Sequence, residues 1–91
     1  MIYYYVETNW SNEHEFGGDV LGIYTNEDDA KNVFRKAVAE EREYVENHPN
    51  YEIFEDTDNF FDAGEDGYYV TEHTTVMLKQ LDMSKDYYKE A

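Results

Sequence analysis

Residues 25–49 read TNEDDAKNVFRKAVAEEREYVENHP, and this stretch decides the fold. Thr25 or Asn26 offers a side-chain oxygen to the free amides of a helix start. Glu27, Asp28 and Asp29 follow in the first turn, where carboxylates complement the positive end of the dipole. Ala30, Val33, Phe34, Ala37, Val38, Tyr44 and Val45 recur at three- and four-residue spacing, an apolar stripe broken only at Glu41. The opposite face carries Lys31, Arg35, Lys36, Glu40, Arg42, Glu43 and Glu46, with Asp28 spaced to pair with Lys31. Pro49 cannot continue the helix and pushes His48 out of the helical region, so the element stops at residues 47–50.

On both sides of this helix the period changes to two. Residues 2–8 alternate, with Ile2, Tyr4 and Val6 on one face and Tyr3, Tyr5 and Glu7 on the other. A polar connection over 9–18 ends in Gly17-Gly18, and residues 20–25 form a second short strand. Residues 51–57 suggest a third strand of poor alternation, suited to an edge. Residues 58–67 then read as an acidic loop holding Phe60 and Phe61 and closed by Gly64 and Gly67. The longest strand signal covers 68–81. It sets Tyr68, Val70, Thr74, Val76 and Leu78 against Tyr69, Thr71, His73, Thr75, Met77 and Lys79. The expectation is a single α+β domain over 1–91: a four-stranded antiparallel sheet in ββαββ order, one helix on one face, and a polar tail over 82–91. One helix covers only one face of such a sheet, so the other stays open to water or a partner.

Composition narrows the function. The 91 residues hold 22 Asp and Glu against seven Lys and Arg, a net charge of -15. The bases are segregated: none occurs from 1 to 30 or from 43 to 78, and the second gap holds ten acids. Repulsion among so many like charges destabilises a compact chain. Ten Tyr, five Phe and one Trp nevertheless supply bulk for a core, which a disordered acidic segment lacks. There is no Cys, which excludes a disulfide framework and a thiolate zinc site. No apolar run reaches membrane length, and the start has no signal-peptide pattern, so a soluble cytoplasmic protein is expected. Direct contact with nucleic-acid backbone is disfavoured because like charges would meet.

The chemistry-bearing candidates centre on the base-free stretch. Glu52, Glu55, Asp56, Asp58, Asp62, Glu65, Asp66 and Glu72 form its acidic segment. Carboxylates two apart on a strand stand about 6.6–6.8 Å apart. That is about twice the 3.4 Å axial charge spacing of one DNA strand, so alternate positions can echo a phosphate track. Such carboxylates make charge-assisted bonds to Arg. The competing reading is a solvated surface whose charge keeps an edge strand from pairing. A calcium loop starting at Asp62 has acids at positions one and five and Gly67 at six. It fails at Gly64 in position three and His73 in position twelve. His14, His48 and His73 lack ligand spacing, so neither metal nor cofactor is expected. Ser11 and Ser84 sit in no nucleophile elbow, and no phosphate-binding glycine loop is present, so an enzyme is not expected. Tyr3, Tyr5 and Tyr69 would form an aromatic patch on the open face, Tyr69 beside the acids.

Small size, absent cysteines, acidic surface and this element order together resemble the small acidic inhibitors encoded by bacteriophages and mobile elements. That class includes anti-CRISPR proteins and other DNA mimics. The resemblance implies a protein-binding inhibitor that occludes the nucleic-acid groove of a host nuclease or CRISPR effector, in the host cytoplasm. The alternative is an acidic accessory module that forms a homodimer through its tyrosine-bearing sheet face.

Overall fold

The computed structural model describes residues 2–67 and 71–82. Strands β1 (Ile2–Ser11) and β2 (Phe16–Tyr24) precede helix α1 (Glu27–Asn47). Strands β3 (Glu52–Asp56), β4 (Phe60–Asp66) and β5 (Thr71–Asp82) follow it. All five strands join one antiparallel sheet in the order β2-β1-β5-β4-β3. The class is α+β as expected, with one helix on one face, but the sheet has five strands rather than four and the order is ββαβββ. The added strand is β4, in the segment expected as an acidic loop. The first hairpin is also tighter than expected, because β1 runs on to Ser11 and β2 begins at Phe16.

Local chemistry explains the helix bounds. Asn26 is the cap, its Oδ1 accepting from the amides of Asp28 at 2.8 Å and Asp29 at 3.3 Å. At the other end the backbone leaves the helix at His48, whose amide donates to the Val45 carbonyl. Lys31 pairs with Glu27 at 2.8 Å, one turn back, rather than with Asp28. Tyr44, expected on the apolar stripe, is exposed; its ring stacks on His48 at 3.7 Å and meets Tyr51 edge-on.

The core lies between the helix and one face of the sheet. Ala30, Phe34 and Val38 of α1 meet Val6, Phe61, Ala63 and Val76 of β1, β4 and β5. Tyr4, Tyr24 and Leu78 extend it. The even positions of β1 and β5 thus face the helix, in the alternation the sequence announced. In β4 the odd positions 61 and 63 do so, and Asp62 shares the open face with His73, Thr75 and Met77.

Candidate functional site: an acidic sheet corner

Strand pairing fixes where each acid of the base-free stretch points. Ile53 lies opposite buried Ala63, and Asp56 opposite buried Phe61, so both are on the helix side. Glu52 lies opposite Gly64, and Glu55 opposite Asp62, on the open side. A bulge at Phe54 shifts the register between these pairs and lets the Phe54 ring stack on His73 at 5.0 Å. On β4, Asp66 follows Asp62 and Gly64 along the open face. Glu65 and Glu72 stand directly opposite each other on the helix side. Asp58 occupies the β3–β4 turn, which Thr57 holds with its amide on the Phe60 carbonyl and its hydroxyl on the Phe60 amide. Tyr69 lies outside the described residues. The expected set therefore divides: Glu52, Glu55, Asp62 and Asp66 share the open side, while Asp56, Glu65 and Glu72 share the other.

Two of the acid pairs are unusual. Glu55 faces Asp62 and Glu65 faces Glu72 across adjacent strands. Like charges directly opposite destabilise a sheet. One member of each pair has a hydrogen-bonding contact. Asp62 Oδ1 lies 3.1 Å from His73 Nδ1, and Glu72 accepts the Tyr51 hydroxyl. Burial, then that bond to Glu72, pushes the Tyr51 hydroxyl upward from its usual range, so it stays protonated and donating. Glu55 and Glu65 have no hydrogen-bonding or ionic partner among the described residues, and neither do Glu52, Asp58 and Asp66.

Folding partly undoes the segregation of bases seen along the chain. Arg42 reaches from the helix to Asp56 and lies over the Phe61 ring, 5.4 Å from its centroid. Lys31, Arg35 and Arg42 line one wall of a groove of about 360 Å³, with Asp56 and Asp58 on the other. Lys79 reaches from β5 to Glu7 at 3.1 Å. On the helix side, then, Asp56 of β3 faces cations. Among the described residues, the four carboxylates on the open side of the β3–β4 corner meet only the imidazole of His73. Sequence spacing could not show this, because Arg42 and Asp56 become neighbours only through the turn between helix and sheet.

The described residues hold no group of three or more ligating side chains placed for a metal ion. Ser11 pairs with His73 across β1 and β5, and His73 contacts Asp62, which brings a serine, a histidine and an aspartate together. His73 Nδ1 bonds to Asp62, and no hydrogen bond joins Ser11 to His73. Tyr3 and Tyr5 lie half-buried on the open face, beside Leu81 and Lys79. No helix among the described residues is long and apolar enough to cross a membrane. Compared with known proteins, the chain matches no family model, no curated protein and no solved structure.

Proposed function

We propose that the protein is an acidic inhibitor whose β3–β4 corner docks in a basic, nucleic-acid-binding groove of another protein. The reading keeps the anti-CRISPR-like, DNA-mimic class that the sequence resembles. One observation carries it: two carboxylate pairs face each other across the strands, and among the described residues Glu55 and Glu65 are left without a hydrogen-bonding or ionic partner. A sheet selected for stability alone would replace one member of each pair. A groove that embraces the corner, supplying Arg to Glu52, Glu55 and Asp66 on the open side and to Glu65 on the helix side, relieves the repulsion and gains charge-assisted bonds at the same moment. Such complementarity speeds encounter, while Phe54, exposed at the same corner, supplies an apolar contact that slows release.

The test is displacement of duplex DNA from a nuclease with a basic groove, the candidate partner class. The wild-type chain is expected to displace the duplex. The fourfold variant Glu52→Gln, Glu55→Gln, Glu65→Gln, Asp66→Asn is expected to lose that ability while melting at the same or a higher temperature. Full displacement by the neutralised variant would refute the reading. The accessory-module alternative draws on Tyr3 and Tyr5, which share the open face with Ile23 and Leu81. It predicts a dimer broken by Tyr5→Glu.

A further inference from the structure

The two edges of the sheet are built differently. The outer strand β3 has five residues, three of them acidic, and carries a bulge. Short length, charge and a bulge are the usual devices that stop an edge from pairing with another chain. The opposite edge, β2, has nine residues with Asp19 as its one charge. It exposes Phe16 at 89%, Ile23 at 65% and Val20 at 57% of their surface. Pairing with β1 places these three side chains on the open face, opposite Ser11, Tyr5 and Glu7. The one interruption in β2 is a register shift at Leu21, between the pairs Val6–Gly22 and Glu7–Val20. Residues 16–20 before it form a regular five-residue run centred on Gly18.

We propose that β2 is the contact surface for a second copy of this chain, pairing antiparallel with its symmetry mate about a two-fold axis at Gly18. In that register Phe16 lies opposite Val20 of the partner on the open face, and Gly17 lies opposite Asp19. Aromatic–β-branched pairs of this kind stabilise antiparallel strands, and neither Asp19 faces its own copy. A two-fold contact is self-complementary, so each pairing occurs twice. A hollow of about 330 Å³ lies between Phe16 and Val20, lined also by Glu7 and Asn9, with room for side chains to settle across the seam. The two five-stranded sheets would join as one of ten strands.

The self-complementary register about Gly18 selects the second copy as occupant, and charge selects this edge as the place. Two chains of net charge -15 repel least where each meeting strand holds a single acid, with Glu13 and Glu15 of the hairpin at the ends of the seam. The strand order puts β2 and β3 on opposite borders. With strands about 4.8 Å apart, the two β3 edges of the dimer would stand about 43 Å from each other, nine spacings away. That is several times the screening length of about 8 Å at physiological salt. A basic partner has no such reason to prefer β2. The inference does not depend on what the acidic corner binds.

Sedimentation of the wild-type chain, over a concentration series and at two salt levels, tests the proposal. A dimer is expected, tightened by salt because screening removes residual repulsion. Binding at the acidic corner would respond in the opposite sense, so the two proposals fail separately. Val20→Lys is expected to abolish the dimer without changing the circular dichroism of the fold. Should that variant not fold, the doubly substituted chain Phe16→Cys, Val20→Cys gives an independent readout. The wild-type chain has no cysteine, and the two positions are too far apart on one strand to bridge internally. Mild oxidation is expected to yield a covalent dimer. A wild-type chain that stays monomeric throughout the series overturns the proposal. So does a dimer that survives Val20→Lys and is broken by Tyr5→Glu.

Discussion

Glu41 shows how far one residue can depart from the pattern around it. It occupies the sheet-facing stripe of the helix between Val38 and Val45 and is only partly exposed. Burial, and then the neighbouring charge of Glu40, raises its carboxyl above the ordinary value of 4.5. A carboxyl whose pKa is higher in the fold than in the unfolded chain holds its proton more tightly there. Its ionised form therefore lowers stability at neutral pH, and the penalty disappears as pH falls below the unfolded value. Glu41→Gln keeps the shape without the charge. The variant is expected to melt above the parent at pH 7, and the gap should close in thermal melts near pH 4. An unchanged gap across that range would mean that titration of Glu41 is not its cause. Asn26 illustrates the opposite situation, a residue whose local duty could be read directly. Two amides and one oxygen fix its place, and either Thr25 or Asn26 met that need on paper until the backbone chose between them.

At the scale of elements, β4 separates what composition suggests from what packing builds. Its sequence, FFDAGED, holds adjacent phenylalanines, a glycine and three acids, which together resemble a turn-rich loop. In the sheet it is the strand between β3 and β5, and Phe61, Ala63 and Gly64 are buried. No glycine in the described chain has positive φ, so Gly64 is not there for a turn. It is there for space: a Cβ at this position would fall 1.8 Å from the Glu72 carbonyl oxygen on β5. Gly64→Ala must therefore push two backbones apart and is expected to cost about 1–3 kcal/mol, the range for overpacked sites, measured by urea unfolding. A neutral effect would show that the sheet yields easily there. The remaining elements were legible because helix stripe, cap, proline stop and alternating tyrosines each agreed with their surroundings. The fifth strand was not, since its anchors are a Phe–Ala alternation two positions long and a glycine whose reason lies on another strand. The site was half legible for the same reason. The acids could be named from the chain, but only the register with β4 sorts them into two faces.

For the molecule as a whole, the charge is balanced unevenly between its two sides. Among the described residues, Arg42 meets Asp56 and Lys79 meets Glu7, while Glu52, Glu55, Glu65 and Asp66 at the far corner meet no cation. Added sodium chloride is expected to raise the melting temperature by screening this corner. The variant Glu55→Gln, Glu65→Gln, which removes one carboxylate from each facing pair, should lose a large share of that salt response. If the response instead persisted undiminished, the repulsion would be spread evenly over the surface, as adaptation to a saline medium would have it. The alternation of β4 also bears on how this chain can change by mutation. Its outward Asp62 and Asp66 and its inward Phe61 and Ala63 are one string of letters seen from two sides. Loss or gain of a single codon within residues 60–66 would bring Asp62 inside and turn Phe61 or Ala63 out. Point substitutions can retune this corner one charge at a time, whereas a shift in length destroys the interior along with the exterior.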